Sequence, residues 1–238
     1  MSRTGRQVAI ITGGSQGIGA SLVTAYRRQG WSVVATARTM KPTGDPDVLT
    51  VDGDLADPAT ADRIVSGALG RFGRIDTLIN NAGVYISKPF TDYTAEDYAL
   101  VVGVTLTGFF WLTQRATAEM LQRSGGHVVN ISAALAEVAN SSVPSVLAAL
   151  TKGGLASATR SLAVEYASRG IRVNAVSPGI IQTPMHPADS YEELGDRLPP
   201  LGRVGQVSDV VDGILFLEAS PYITGEILHI DGGQIAGH

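Results

Sequence analysis

The chain has no cysteine among its 238 residues. A disulfide scaffold, a cysteine nucleophile and a thiolate-bound zinc or iron–sulfur site are therefore all excluded. A chain of this length buries enough surface on folding to close a core without a disulfide or a bound metal. We accordingly predict a globular protein with no metal site.

Long apolar runs and an excess of positive charge are also missing. No stretch approaches the roughly 18 uninterrupted apolar residues of a membrane span, and the run Val8–Ile11 is too short for a signal peptide before Thr12-Gly13-Gly14 interrupts it. The 18 basic residues are scattered among 22 acidic ones, for a net charge of −4. We expect a cytoplasmic protein whose partners are neither a membrane nor a nucleic acid.

Glycine, in contrast, is abundant, with 28 residues, or about 12% against a usual share of about 7%. Short β-branched apolar runs bounded by turn residues alternate with longer segments whose apolar residues recur three and four apart, the pattern of βαβ units. The runs lack strict apolar–polar alternation, which is typical of parallel strands covered on both faces. The sequence predicts a single α/β domain over residues 1–238: a doubly wound (Rossmann) parallel sheet of about seven strands with helices on both faces.

The predicted elements follow this alternation along the chain. Strands are expected at Val8–Ile11, Ser32–Thr36, Val48–Val51, Thr77–Ile79, Val128–Ile131, Val173–Val176 and Ile227–Ile230. Helices are expected at Gly17–Gln29, Ala59–Phe72, Ala95–Arg123, Val146–Ser168 and Val207–Glu218. Capping residues are expected near Asp57-Pro58 for the second helix and near Ser208 for the last.

The segment Thr12-Gly13-Gly14-Ser15-Gln16-Gly17-Ile18-Gly19 lies between the first predicted strand and the first predicted helix. Glycines here allow a sharp turn and a close approach of the backbone to a pyrophosphate, whose charge then faces the amides of the helix start. The spacing Gly13-x-x-x-Gly17-x-Gly19 differs from the usual GxGxxG. We predict a dinucleotide site, with an ordinary glycine turn as the alternative.

The end of the second strand indicates which dinucleotide is bound. At this point such folds carry an acid for the ribose hydroxyls or a base for a 2′-phosphate. Here the strand ends in Ala35-Thr36-Ala37-Arg38, without an acid, and the Arg38 guanidinium can bind a phosphate through two N–H groups. NADP(H) is predicted in preference to NAD(H); a solvated arginine in a βα loop is the alternative.

Residues 183–200 form the least regular region, with prolines at positions 184, 187, 199 and 200. The region follows the carboxyl end of a strand, where open α/β sheets bind ligands. We predict a substrate lid over residues 183–200, and an inert surface loop stays open as the alternative.

Ordered motifs extend along the whole chain. They are Thr12–Gly19, Asp54-Leu55, Asn80-Asn81-Ala82-Gly83, Gly170–Asn174, Pro178–Thr183, Pro200–Arg203, Thr224–Glu226 and Asp231–Gly233. In this order and spacing the chain resembles the short-chain dehydrogenases/reductases, in particular the bacterial 3-oxoacyl-acyl-carrier-protein reductases.

The resemblance implies adenine contacts at Asp54 and Leu55, ribose contacts from Asn81 to Gly83, and nicotinamide-side contacts at Ile181 and Thr183. Together with the glycine loop and Arg38, the predicted cofactor residues are Gly13, Ser15, Gln16, Gly17, Ile18, Gly19, Arg38, Asp54, Leu55, Asn81, Ala82, Gly83, Lys152, Pro178, Gly179, Ile181 and Thr183. Asn80 and Asp231 are assigned structural roles instead.

The catalytic positions depart from the family pattern, which pairs Tyr-x-x-x-Lys on one helix with a preceding Ser and with an Asn on the long helix before it. A spacing of four puts Tyr and Lys on one helical face, where the ammonium lowers the pKa of the phenol. Here Lys152 is present, but Ala148 occupies the tyrosine position. The serine aligns with Ala133, which leaves Ser132 one residue early, and Thr105 stands where Asn is expected. Lys152 and Ser132 are the candidate catalytic residues that remain.

Hydride delivery to a ketone creates an alkoxide that must be protonated, and a positioned acid contributes about 10²–10⁴-fold. Three replacements for the missing acid stay open. Tyr85, His186 or Tyr191 could reach the substrate; the substrate could be an iminium, an activated alkene or a molecule with its own hydroxyl; or Lys152 could act through a water.

Two functions follow from this mixed pattern. The first is an NADP(H)-dependent oxidoreductase with a non-standard proton donor, acting on a small carbonyl, imine or activated alkene. The second is a catalytically silent nucleotide-binding protein, or a non-catalytic partner of an active relative. The resemblance also implies a homotetramer or homodimer, built through the two long helices and the C-terminal strand.

Overall fold

The computed structural model describes residues 5–123, 125–185 and 199–237. Seven strands form one sheet in the order β3-β2-β1-β4-β5-β6-β7, and every pairing is parallel. The strands are β1 (Val8–Thr12), β2 (Ser32–Ala37), β3 (Val48–Asp52), β4 (Thr77–Asn80), β5 (Gly126–Ile131), β6 (Ile171–Pro178) and β7 (Ile227–Ile230). The predicted doubly wound parallel sheet is confirmed.

Helices cover both faces of the sheet. They are α1 (Gly17–Arg28), α2 (Pro58–Phe72), α3 (Ala95–Val102), α4 (Gly108–Leu121), α5 (Val146–Tyr166) and α6 (Val207–Ala219). One apolar core contains Ile64, Leu112 and Met120 from α2 and α4. The other contains Leu22 of α1 and Ile214 of α6. Strand order reverses between β1 and β4, which opens a crevice at the carboxyl ends of these strands.

The helix predicted over Ala95–Arg123 is interrupted. A π turn at Gly103–Thr107 separates α3 from α4. A Cβ on Gly103 would lie 2.9 Å from the Cβ of Ala56, and one on Gly108 would lie 2.7 Å from the Cβ of Leu55. In a π turn, residues five apart in sequence, such as Gly103 and Gly108, lie on the same side of the helix. The turn therefore places both glycines against the loop after β3.

The two capping predictions have different outcomes. Asp57 caps α2, because its side chain accepts a hydrogen bond from Ala59 N. The last helix, α6, is capped near Ser208 but not by it: the N-cap is Gln206, and the helix begins at Val207. Asp209 instead closes that helix start by accepting a 2.8 Å hydrogen bond from Gln206 N.

One described helical stretch, Ala95–Leu121, is long and apolar enough to cross a membrane by length and composition alone. Its inner side packs into the core, where Leu112, Ala116 and Met120 are fully buried. Only 22% of its apolar window is buried, however, and Phe110 on the outer side is 53% exposed. This outer surface is therefore available to a partner.

Candidate active site

A cavity of about 820 Å³ lies at the carboxyl edge of the sheet, within the range typical of cofactor and small-molecule sites. The loops after β1, β2, β3, β4, β5 and β6 line it together with the first turns of α5. Parallel strands end at one edge of a sheet, so segments far apart in sequence meet here.

The structure places the predicted cofactor residues in this wall, with one exception. Those that line the cavity are Gly13, Ser15, Gln16, Gly17, Ile18, Arg38, Asp54, Leu55, Asn81, Ala82, Gly83, Lys152, Pro178, Gly179, Ile181 and Thr183. Gly19 lies behind the loop, in the first turn of α1, where a Cβ would collide with the carbonyl oxygen of Gly13. This glycine therefore permits packing of the loop on the helix rather than lining the cavity.

Two loops are locked together beside the glycine turn. Thr12 Oγ1 accepts hydrogen bonds of 2.9 Å from the backbone nitrogens of Asn81 and Ala82. The Asn81 side chain returns a 2.8 Å hydrogen bond to Thr12 O. A glycine is needed at position 13, where φ is +68° and a Cβ would lie only 2.8 Å from Asn81 Nδ2. Thr12 holds this arrangement, a role that sequence analysis missed.

Near the ends of β2 and β3, the wall consists of Ala37, Arg38 and Thr39 on one side and Gly53, Asp54 and Leu55 on the other. Arg38 is exposed at the rim. Among the hydrogen bonds and ion pairs of residues 5–123, 125–185 and 199–237, none involves its guanidinium. Its five N–H groups are thus available to a ligand.

Lys152 lies at the opposite end of the cavity, on α5. Its Nζ donates a 2.6 Å hydrogen bond to the Ile131 carbonyl, and burial, which disfavours the charged ammonium, lowers its pKa to about 8. Ser132 lines the same wall, but its hydroxyl donates to the Lys152 carbonyl at 3.2 Å. The proton of the Ser132 hydroxyl is therefore directed to the backbone of α5.

The three positions at which the sequence predicts a substitution lie in α5, in the loop after β5 and in the π turn. Ala148 is buried in the cavity wall one helical turn before Lys152, and Ala133 lines the wall as well. Thr105 is buried in the π turn. Its hydroxyl has no hydrogen-bond partner in the described part of the chain.

The alternative proton donors have different outcomes. Tyr85 lines the cavity, and burial raises the pKa of its phenol, while a hydrogen bond with Ser87 opposes that rise. His186 and Tyr191 lie outside the described residues, as does most of the predicted lid. Thr183, at the start of the predicted lid, is described and lies beside Gly17. A Cβ on Gly17 would be 3.5 Å from the Thr183 side chain.

Asn80 and Asp231 make internal contacts, as predicted. Asn80 Nδ2 donates to Thr113 Oγ1 and Asn130 Oδ1, both at 2.9 Å. Asp231 accepts hydrogen bonds from the backbone nitrogens of Gly233 and Ile235. Both residues stabilise the structure around the cavity and do not line it.

The cavity has a further stretch of wall beside the predicted cofactor residues. This stretch is mostly apolar and contains Val84, Ala133, Leu135, Val143, Ile180 and Met185. Gln234, from the segment after β7, reaches the same cavity. Val84, Leu135, Val143 and Gln234 lie outside the quoted motifs, and the fold brings them to this cavity.

Residues 13–234 match the family model described as enoyl-(acyl carrier protein) reductase. The chain belongs to the short-chain dehydrogenase/reductase family. It is 33% identical over 242 residues to the 3-oxoacyl-[acyl-carrier-protein] reductase of Synechocystis sp., covering 96% of this chain and 97% of that protein. The predicted resemblance to this family of NAD(P)-dependent oxidoreductases is thereby confirmed.

Solved structures in the family agree with the fold. ElxO with NADP bound superposes with a TM-score of 0.90 at 28% identity, over 98% of this chain and 100% of that chain. The 3-ketoacyl-(acyl-carrier-protein) reductase from Brucella melitensis, complexed with NADH, gives a TM-score of 0.88 at 28% identity over the same shares. Similar short-chain dehydrogenases/reductases thus hold either nicotinamide cofactor.

Proposed function

We propose that this protein is an NADP(H)-dependent oxidoreductase that transfers a hydride to or from a small carbonyl, imine or activated alkene. The observation that carries the proposal is one continuous cavity that joins the glycine turn at Gly13 to Lys152. When bound, the nicotinamide cofactor supplies or accepts the hydride. The residues of the chain bind and orient the reactants and donate or accept the accompanying proton.

The residues of the cavity fit a dinucleotide. Gly13 and Gly17 adopt positive φ angles of +68° and +55°, which lets the backbone turn tightly beside the start of α1. The amides at that helix start favour a pyrophosphate. Asp54 is suited to accept a hydrogen bond from the exocyclic amine of adenine.

The preference for NADP(H) is supported by Arg38. Its exposed guanidinium has no acidic partner in the described ranges, and it lies on the cavity wall with Ala37 and Thr39. A planar fork of N–H donors suits a 2′-phosphate better than a pair of ribose hydroxyls.

Lys152 is our candidate for the source of the proton. With a pKa of about 8, the ammonium is mostly charged at neutral pH, yet it is a stronger acid than an exposed lysine. Ala148, one turn away, has no group that donates a proton, and its small side chain leaves room for a water beside Lys152. The proton would pass from Nζ through that water to the substrate.

Titration with the two cofactors tests the nucleotide part of the proposal. Wild-type protein is expected to bind NADPH more tightly than NADH, as measured by nicotinamide fluorescence. Arg38→Ala should weaken NADPH binding by about 10- to 100-fold, because hydrogen bonds to charged groups contribute about 1.5–3 kcal/mol, and leave NADH binding unchanged. Arg28→Ala, which removes an exposed arginine at the end of α1, is the matched control. Equal affinities of the wild type for both cofactors would contradict the preference.

Turnover tests the enzymatic part. Purified protein with NADPH is mixed with panels of ketones, cyclic imines and activated alkenes, and absorbance of the reduced cofactor is followed. Oxidation of NADPH on one panel is the expected result. Binding without turnover on every panel would favour the silent nucleotide-binding protein, an alternative supported by the three substituted catalytic positions.

We further propose a homotetramer or homodimer in the cytoplasm. Phe110 on α4 and Leu150 and Val164 on α5 are exposed apolar side chains, and burial against a second copy would remove them from water. Sedimentation velocity should show an oligomer that Val164→Glu weakens; a monomeric wild type would contradict this. Recovery of the native protein in a membrane fraction would contradict the cytoplasmic location.

A further inference from the structure

The Lys152 side chain ends in an amine with a backbone carbonyl as its partner. The residue is partly exposed and lines the cavity, and its Nζ donates a 2.6 Å hydrogen bond to the Ile131 carbonyl. In the described ranges no acid pairs with it, and burial is the single cause of its lowered pKa. When the amine is neutral, one N–H serves Ile131 and the lone pair of Nζ is available for another bond.

The space next to this amine is open on the side of Gly83. A Cβ on Gly83 would lie 3.3 Å from Lys152 Nζ and 3.8 Å from Cε. Apart from the two residues that flank Gly83 in the chain, the next nearest described atom is the Asn81 carbonyl oxygen, 4.0 Å away. No other described side chain covers the amine from this direction, so a small molecule in the cavity can reach it.

The end of β5 fixes the position of the amine. Ile131 accepts the hydrogen bond from Nζ, and the next residue, Ser132, donates its hydroxyl proton to the Lys152 carbonyl at 3.2 Å. The lysine is thus attached through its side chain and its backbone to two consecutive residues. A reacting group that is already oriented loses little rotational freedom when its partner arrives.

The wall of the cavity determines which carbonyl compounds fit beside this amine. Among the described lining residues, the charged side chains are Arg38, Asp54 and Lys152 itself, and the first two follow β2 and β3. Val84 and Ala148, which line the cavity from the loop after β4 and from α5, are apolar. A carboxylate beside a neutral amine would have no cation to pair with, so an uncharged compound is favoured. A lysine in apolar surroundings is also the kind that attacks carbonyl carbons.

We propose that Lys152 is a covalent binding site for small apolar aldehydes, which the cofactor-free protein captures as an imine. The Nζ lone pair forms a bond to the carbonyl carbon, and the carbonyl oxygen takes up one proton from the amine. The resulting carbinolamine loses its hydroxyl group and the second amine proton as water, and the C=N bond forms. No oxidant or reductant is consumed, and water reverses the step. This activity uses the neutral amine and involves no hydride, so it goes beyond the proposed function.

Lys41, Lys88 and Lys152 are the three lysines of the chain, so the chain supplies its own controls. Lys41 is exposed, and Lys88 is paired with Asp97 at 2.6 Å. The cofactor-free protein is incubated at about pH 7 with butanal and sodium cyanoborohydride, which reduces the imine to a stable secondary amine. Peptide mapping by mass spectrometry then gives the rate at each lysine.

Lys152 should be modified at least about tenfold faster than either control lysine. An exposed lysine, with a pKa of about 10.4, has roughly 100-fold less neutral amine at this pH than one with a pKa of about 8. In concentrated urea the three rates should become similar, because the advantage belongs to the folded cavity. Equal rates in the folded protein, no adduct at position 152, or a preference for Lys152 that persists in urea would overturn the proposal.

Succinic semialdehyde, which has the chain length of butanal but ends in a carboxylate, tests the class of aldehyde. With Lys41 as the reference for each compound, Lys152 should react with this anion at least about tenfold more slowly than with butanal. An anion that modifies Lys152 as fast as butanal does would overturn the apolar class. Lys152→Arg should lose the adduct at this position and keep those at Lys41 and Lys88. Because no cofactor is present, these results do not depend on whether the protein binds NADP(H).

Discussion

At the scale of single residues, the proposed chemistry depends on Lys152 and on the alanine one turn before it. A tyrosine at position 148 would face the lysine across one helical turn, but the methyl group of Ala148 offers no proton. Lys152 is left with a backbone carbonyl as its hydrogen-bond partner and with a pKa lowered to about 8 by burial. A group with this pKa can titrate within the working range of an enzyme.

The pH dependence of reduction follows from this pKa. If Lys152 is the acid, as we propose, the step needs the ammonium form, so the single-turnover rate should be constant below about pH 8 and fall tenfold per pH unit above it. Lys152→Arg stays protonated at higher pH and should move the decline upward. A wild-type rate that remains flat to pH 10, on a substrate that turns over, would show that Lys152 is not the acid.

Restoring the phenol tests what the alanine removed. Ala148→Tyr should raise ketone reduction by about 10²–10⁴-fold, the usual contribution of a positioned general acid. Arg160→Tyr places the same side chain at an exposed position of α5 and should have no effect. If Ala148→Tyr folds and binds NADPH but gains nothing, the substrate end of the cavity has diverged beyond the proton donor.

At the scale of elements, the π turn joins the long helix to the loop after β3, which lines the cavity. Gly103 and Gly108 flank the turn and both pack on the Leu55-Ala56 segment. Leu55 itself lines the cavity. The helix therefore supports a loop on which we expect the cofactor to depend.

Gly108→Ala tests this support. The added Cβ would lie 2.7 Å from the Cβ of Leu55, so the loop must shift, at a cost of about 1–3 kcal/mol in the free energy of unfolding. NADPH binding should weaken as well, as measured by fluorescence titration. Gly70→Ala, in α2 with open space around its Cβ, should leave binding unchanged and stabilise the helix slightly. Unaltered NADPH affinity in Gly108→Ala would argue against the coupling.

At the scale of the whole molecule, a buried polar cluster joins the sheet to helices on one face, at the edge opposite the cavity. Glu218 on α6 accepts hydrogen bonds from Tyr26 at 2.7 Å and Thr77 at 3.0 Å, and its Oε2 lies 3.2 Å from His127 Nδ1. On the other side of the ring, Arg172 lies 3.4 Å from His127 Nε2. Arginine can only donate, so Nε2 accepts and the proton of the neutral ring is on Nδ1.

Acid should therefore weaken the fold through His127. Burial lowers the pKa of this imidazole, against the opposing effect of Glu218, so the unfolded chain takes up a proton more readily than the folded one. Stability is then lost as pH falls below about 6.5, the unfolded value. Urea unfolding from pH 7.5 to 5 should show this loss in the wild type and a flatter dependence in His127→Gln. Parallel pH curves for the two proteins would contradict the assignment.

The sequence by itself determined the layered sheet and the glycine turn between β1 and α1, and it predicts the positions at which the family's tyrosine, serine and asparagine are replaced. These features reside in short segments or in local periodicity, so neighbouring residues suffice to define them. The tertiary structure decided the π turn, the hydrogen bonds from Thr12 to the Asn81 loop, the carbonyl partner of Lys152 and the presence of Gln234 in the cavity. Each depends on which distant segments pack together, since the parallel sheet brings the ends of its strands to one edge, and no local pattern in the chain encodes that meeting.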